Sequence, residues 1–416
     1  MKSWTEITHY AALDWAREHH DIVVVDAGGE IRAEFRIEHT GEGWRELRQR
    51  LALFPAVGIA VETNQGPAVE QLLAAGFQIY PVNPKSAQRY RERKKPSGTK
   101  TDRLDAWAMA DALRVDGHGW RALLPTDPLM AELRQLCRDE VALIEQRTSL
   151  IAQLRSGLHS YYPAALEAFA KWTAPSSWEF VIAFPTPQAL QAAGPRKWRH
   201  WLHAHLLHFP GPNERRYAIF ARAAEFAGHP ATTAAKSLLV VSLAKLLLTL
   251  EEQLGAYRER IEQLFLTHPD HALFGSLPGT GKKLAPRLLS ELGDDRTRFP
   301  TAESLQCYAG TAPISYQSGQ INRTYMRRAC NLRLRHAVQQ WAGLSLHRST
   351  WAYTYYHKHR ADGQSHACAL RCLSQRWVKI LWRMWQTKVC YDAELHQRNQ
   401  LKHGSWVLSL DTARSA

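Results

Sequence analysis

Apolar positions near the start of the chain recur at every second residue in some stretches and at every third or fourth in others. Ile7 to Leu13 and Asp21 to Asp26 (DIVVVD) are short apolar runs, and after the Ala27-Gly28-Gly29 turn Ile31, Ala33, Phe35 and Ile37 alternate with polar residues. These predict three strands in a meander. Trp44, Leu47, Leu51 and Phe54 fall at helical spacing, Val57 to Val61 (VGIAV) reads as a buried strand, Ala68 to Ala75 as a helix, and Phe77 to Val82 as a strand. The order is βββαβαβ and then a helix. Parallel strands need crossovers and the crossovers here are helices, so strands four and five lie parallel to strand one in a mixed sheet.

Between Lys85 and Arg103 eight basic residues face only Glu92 and Asp102, and Pro96-Ser97-Gly98 interrupts the run. This predicts a mobile basic loop, or else a solvated linker. Thr101 then caps a helix from Asp102 to about Arg114, and a first domain closes at residue 125. Residues 126–268 hold two long apolar stripes. Leu133, Leu136, Leu143, Ile144, Leu150, Ile151 and Leu154 form one, and Leu243, Leu246, Leu250, Leu254, Tyr257, Ile261 and Leu264 the other. Such coiled-coil-like helices pack antiparallel or pair between subunits. Trp172 to His229 lacks a clear period and reads as a separate helical insertion, at about 172–230. A mainly helical domain at 269–400 and a tail at 401–416 complete the chain.

The 416 residues carry 53 Lys and Arg against 39 Asp and Glu, a net +14. This suits a polyanion, and 45% hydrophobic content leaves ample material for folded cores, so a disordered chain is excluded. Placement sharpens the charge. From Ser304 to Tyr391 the only acid is Asp362 while thirteen Lys or Arg accumulate, and in Tyr353 to Arg360 aromatic and cationic residues interleave. That pattern points to nucleic acid. The polar start, and no ~18-residue uninterrupted apolar run, predict a cytoplasmic protein without a membrane partner. The six cysteines include no C-x-x-C pair and read as reduced thiols. His366, Cys368 and Cys372 match no common zinc spacing.

Four carboxylates stand at positions that carry chemistry. Asp14 ends the first strand and Glu62 the fourth, while Asp102 and Asp105 share one face of the helix after the last strand. Each alone also fits a turn or capping acid. Clustered, they repel one another and persist when divalent cations neutralise them, as at a Mg²⁺-dependent phosphodiester site with one or two metals. Asp21, Asp26 and Asp111 read as surface residues. Leu277-Pro278-Gly279-Thr280-Gly281-Lys282-Lys283 lacks the spacing and the Ser or Thr of a nucleotide-binding loop. It reads instead as a hairpin between two short helices that brings glycine amides and Lys282 or Lys283 to a nucleic-acid backbone, or as a plain helix-initiating turn. Ser315 to Gln320 is a polar loop before Arg323, Arg327, Arg328, Arg333 and Arg335. Nearby arginines or metal-bound carboxylates could make a serine there nucleophilic.

The strand order matches a ribonuclease H-like fold. The string Gly98-Thr99-Lys100-Thr101-Asp102-Arg103-Leu104-Asp105-Ala106, with LPGTGKKLAPRLLSELGD, RFPTAESLQCYAGTAPISYQSG and CNLRLRHA, resembles the insertion-sequence 110 family of transposases, the DEDD or bridge-RNA-guided recombinases. The likeness covers roughly Thr8 to Ile151 and His271 to Gly343. It implies a RuvC-like nuclease domain with Asp14, Glu62, Asp102 and Asp105 as the Mg²⁺ ligands, and a transposase domain whose Ser318 attacks DNA, Ser315 being the competing serine. It further implies donor and target DNA, a structured guide RNA and a homo-oligomer, dimer or tetramer, with a composite site across subunits. Two departures bear on loop detail: Gln320 follows Gly319 where members commonly have a second glycine, and Thr-Asn-Gln-Gly follows Glu62 instead of Ala-Thr-Gly.

The expected protein is therefore a DNA recombinase with an α/β sheet domain, long helices and a helical domain. Lys94, Lys95, Lys100, Lys282, Lys283 and the five arginines would hold nucleic acid. Two alternatives share these residues: a RuvC-like junction nuclease using water, and a non-catalytic RNA- or DNA-binding protein.

Overall fold

The computed structural model describes residues 3–64, 66–95, 97, 101–125, 127–207, 210–223 and 228–407. The chain divides into two units, Met1–Thr126 and Asp127–Ala416.

The first unit is built on the strands β1 (His9–Trp15), β2 (His19–Asp26), β3 (Ile31–Glu38), β4 (Val57–Val61) and β5 (Gln78–Pro81), in spatial order β3-β2-β1-β4-β5. The meander β1-β2-β3 is antiparallel and β4 and β5 run parallel to β1, as their helical crossovers require. Those crossovers are α1 (Gly41–Leu51) and α2 (Pro67–Ala74), followed by α3 (Pro84–Lys94) and α4 (Asp102–Asp116).

Strand alternation sorts the side chains into two layers. Ala11, Leu13, Ile22, Val24, Ile59 and Val61 pack with Trp44, Leu47 and Leu51 of α1 and Val69 and Leu72 of α2. On the other face Tyr10, Ala12, Val23, Val25 and Ala60 meet Ala106, Met109, Ala110 and Leu113 of α4. Alanines on both sides of this second layer leave room for the helix to settle on the strands. With both faces covered, β4 is buried along its whole length.

One expectation fails here. As far as Lys94 the basic run is the helix α3 and not a loop, while residues 96 and 98–100 of that run lie outside the described residues. Asn83 accepts the Lys85 amide as N-cap and Pro84 occupies the first turn, start signals that outweigh the charge density. Asp111, expected on the surface, is 3% exposed and is held by Arg93, Lys94 and Arg114.

In the second unit α5 (Pro128–Tyr161) and α10 (Pro230–Thr267) run antiparallel within the chain. Ion pairs Arg260–Glu132, Arg258–Glu140 and Arg147–Glu251 mark the register. Near the far end a Cβ on Gly157 would lie 2.7 Å from Val240 Cγ2, so glycine permits the close approach. Between them come α6 (Pro163–Ala168), α7 (Pro175–Ala183), α8 (Pro187–Ala204) and α9 (Pro210–Ala221). The insertion is not separate from the long helices: Phe169, Trp178, Phe180, Phe184, Trp198, Trp201 and Phe220 share one core with Leu154, Leu158, Val240 and Leu247. Helix α10 is long and apolar enough to cross a membrane, with 22% of its apolar window buried, although Lys245 interrupts the run.

The remaining elements are α11 (His271–Gly275), α12 (Gly281–Leu292), α13 (Ala302–Tyr308), the hairpin β6 (Ile314–Ser318) and β7 (Ile321–Tyr325), α14 (Leu332–Ser345), α15 (Thr350–Ala361), α16 (His366–Thr387) and α17 (Ala393–Lys402). Their core gathers Trp341, Trp351, Trp377 and Trp385 with Met130 and Leu133 of α5 and Ile261 and Phe265 of α10. Tyr355 and Tyr356, read in sequence as faces for nucleic acid, are buried in it.

Candidate functional site

The acidic cluster follows from strand parity. Asp14 lies two residues beyond Ala12, and Glu62 two beyond Ala60, so both continue the face on which α4 packs. Leu13 pairs with Val61 across the parallel ladder, which sets Asp14 and Glu62 at adjacent strand ends. Asp102 and Asp105 occupy the first turn of α4, whose N-terminus is fixed by the Thr101 hydroxyl accepting the Leu104 amide at 3.2 Å. Burial, and then the charges of Asp105, Asp102, Glu62 and Asp21, push the Asp14 carboxyl up to about 7. The sequence-selected acids thus lie within electrostatic reach of one another.

Sequence reading missed three neighbours of this cluster. Asp21 sits directly opposite Asp14 in the β1–β2 register, and Arg36 holds it through contacts of 3.0 and 2.7 Å. His19 Nε2 lies 3.8 Å from Asp102 Oδ2, and ligand atoms of His19, Asp21 and Asp102 all fall within 4.8 Å of one another. This is the cation-sized donor group among the described residues. Arg91 of α3 donates to both Asp105 oxygens, at 2.7 and 3.0 Å. The overlooked signal was alternation on β2: His19 and Asp21 share the parity of Val23 and Val25, which face α4. Carboxylate oxygens with one imidazole suit a divalent cation, and the Asp14 carboxyl is raised first by its burial and then by the acids around it.

The polar segment at Ser315 to Gln320 is not a loop but a two-stranded ribbon. Ser318 is the last residue of β6 and pairs with Ile321 of β7, while Gly319 (φ 54°) and Gln320 make the turn. Alternation places Ser318 on one face with Tyr316, Arg323 and Tyr325, and Ser315 on the other with Thr324. All ten strand residues are exposed. The ribbon thus presents the two candidate hydroxyls in opposite directions.

The basic residues divide by how firmly they are engaged. Arg323, Arg328, Arg333, Lys95 and Lys283 are exposed. Arg327 Nε reaches the Ala312 carbonyl and Arg335 the Arg327 carbonyl, so both brace the base of the hairpin. Lys94 is anchored on Asp111 and over the Trp107 ring, and Lys282 reaches Glu262 at 2.5 Å. Lys100 lies outside the described residues. The glycine-rich turn before α12 packs against α14: Trp341 donates to the Pro278 carbonyl, and a Cβ on Gly279 would come within 2.9 Å of the Leu344–Ser345 backbone. Packing accounts for that glycine. His366 bonds Tyr356 and joins no metal-like group with Cys368 or Cys372 among the described residues.

Comparison with known proteins matches residues 11–163 to a DEDD transposase model of the IS110 group, and residues 271–357 to the model described as transposase IS116/IS110/IS902 family. The mini-circle putative transposase for IS117 of Streptomyces coelicolor is 32% identical over 93% of this chain and 96% of its own length. An IS110 uncharacterized protein of the same organism is 30% identical over 72% of this chain and 74% of its own. An IS900 uncharacterized protein of Mycobacterium paratuberculosis is 28% identical over 92% and 96%. The strand-end acids, the helix that meets them and the match along nearly the whole length of a relative converge on one assignment: this chain belongs to the IS110 family of transposases.

Proposed function

We propose that this transposase cuts and rejoins DNA through Ser318, with Asp14, Glu62, Asp102 and Asp105 holding Mg²⁺ at the reacting phosphate. The observation that carries the reading is the convergence of the other three acids on Asp14, whose carboxyl they help to push up to about 7. Bound there, Mg²⁺ would supply positive charge to the phosphate and to the oxygens entering and leaving it. The protein's own groups do the rest. The Ser318 hydroxyl gives up its proton and its oxygen bonds to phosphorus, while the bond from phosphorus to a sugar oxygen breaks and that oxygen leaves with a proton. Arg323 shares the Ser318 face and can bear phosphate charge, and Arg328 and Arg333 hold the strands. Reversal onto a second DNA end reseals the backbone without an external energy source.

In this reading a structured guide RNA encoded with the element selects donor and target DNA, the protein works in the cytoplasm, and a dimer or tetramer brings serine and acids together. The exposed basic surfaces and the resemblance of both matched segments support it. Its test is trapping on the element's own donor and target DNA with its noncoding transcript. A denaturation-resistant protein–DNA adduct should form with wild type and Ser315→Ala and be absent with Ser318→Ala. An adduct lost only with Ser315→Ala moves the nucleophile to Ser315. Cleavage with no adduct at all replaces serine by water, the reading that His19 beside Asp102 favours.

A further inference from the structure

The serine ribbon leaves and re-enters the helical core at two points that are tied together. Tyr308 ends α13 on the way in, and Asn331 caps α14 on the way out. The Asn331 amide donates to the Tyr308 carbonyl at 2.8 Å, and Asn331 Nδ2 donates to the Tyr308 hydroxyl at 2.9 Å. At the same level Gly310 (φ 66°) lies against Cys330, whose Sγ would be 2.5 Å from a Cβ there. The base of the excursion is therefore closed on both backbone and side-chain levels.

A third partner fastens this base to the rest of the unit. Glu291 of α12, 5% exposed, accepts Asn331 Nδ2 on Oε2 at 2.8 Å and is gripped by Arg138 of α5 at 2.6 and 2.9 Å. Burial alone would raise this carboxyl, but Arg138 and Asn331 hold it below the ordinary range, so it stays a charged acceptor. The ribbon itself has no buried residue, so its direction is set at its roots rather than along its strands.

Building on the reading of Ser318 given above, we infer that Glu291 is a positioning residue for the serine: through Asn331 and Tyr308 it fixes the base of the β6–β7 ribbon to the long helix α5. The physical reason is leverage. The chain from Glu291 to Ser318 is a lever with one rigid end, and a nucleophile misplaced by about 1 Å loses up to about a hundredfold in rate. Glu291→Gln keeps the side-chain shape and one carbonyl for Asn331 but removes the charge that Arg138 grips.

The full-length Glu291→Gln protein is to be compared with wild type in two measurements. The first is amide hydrogen exchange of residues 313–326 against the buried turns of α12 and α14. The second is the rate of adduct formation at saturating DNA, beside DNA affinity. Faster exchange confined to the ribbon, affinity within about twofold and an adduct rate down roughly tenfold or more are the results expected. Arg138→Gln combined with Glu291→Gln, which restores a neutral amide pair, should recover most of both. Unchanged ribbon exchange overturns the inference, as does faster exchange in α12 and α14 together with the ribbon, which would make Glu291 an ordinary core residue. If wild type forms no adduct, the serine reading fails by itself, and ribbon exchange alone then decides whether Glu291 fixes the hairpin.

Discussion

Asp14 and Asp21 stand directly opposite each other across the β1–β2 ladder, two like charges at one register position. Such a pair is unfavourable in a sheet unless something compensates it. Arg36 compensates Asp21, and Asp14 is left with burial and the surrounding acids, which raise its carboxyl from 3.8 to about 7.

A pH dependence with a definite sign results. The unfolded chain releases this proton near 3.8 and the folded chain near 7, so ionisation of Asp14 opposes folding, by an amount that grows across that interval and is complete above it. Asp14→Asn should therefore raise the melting temperature by a few degrees at about pH 8 in chelator, with less gain at about pH 5 and none near pH 4. Added Mg²⁺ should stabilise wild type and leave the variant nearly unmoved. Scanning calorimetry across pH checks both; a variant less stable than wild type at pH 8 would contradict the repulsion.

Arg91 compensates Asp105 in the same cluster, with side chains 17% and 13% exposed. Arg91→Ala should destabilise the protein by roughly 1–3 kcal/mol in chelator. It should also raise affinity for Mn²⁺, because the cation no longer competes with a guanidinium for both Asp105 oxygens. Titration with Mn²⁺ followed by electron paramagnetic resonance reads the second effect without any DNA, and an unchanged affinity would exclude competition.

The engaged and free cations should separate in a binding assay. Arg323→Ala, Arg328→Ala and Arg333→Ala should each weaken DNA binding and lower the salt slope by about one. Lys94→Ala should instead lower stability with little change in slope, since Lys94 is spent on Asp111 and Trp107.

Asp111 holds three cationic side chains while nearly buried, and its carboxyl stays below the ordinary range because Lys94 and Arg114 outweigh the burial penalty. Asp111→Ala should cost about 3–5 kcal/mol in a denaturant titration, leaving Lys94 and Arg114 without their carboxylate beside the core while Arg93 keeps Asp116. A loss under about 1 kcal/mol would show that water replaces the carboxylate.

The sheet was legible because its two faces obey one rule. VGIAV is apolar throughout since both of its faces are covered, and the acids stand out as the first polar residues past Ala12 and Ala60. Helix α3 was not legible, because eight cations drew attention from Pro84 and Asn83, and the acids that neutralise Arg91 and Lys94 lie on α4, remote in sequence. Asp21 was hidden by a register that only pairing reveals. The Trp172 to Phe220 region was opaque for another reason. Its helices each start at proline and the longest, α8, is broken at Gly194 (φ 71°), so no period persists long enough to read, and its core is completed by residues of α5 and α10. Ser318 was named by the family resemblance and not by the residues around it, and the ribbon that turns it away from Ser315 was not legible at all.

Helices α5 and α10, of 34 and 38 residues, end in two different cores, one shared with α6 to α9 and one with the helices α11 to α16 that carry the serine ribbon between them. At 1.5 Å per residue α5 alone is a strut of about 50 Å, comparable to some fifteen base pairs of duplex. Separation of the two cores is thus written as a residue count, and removing one heptad from each strand of the strut would shorten it by about 10 Å while leaving both cores intact.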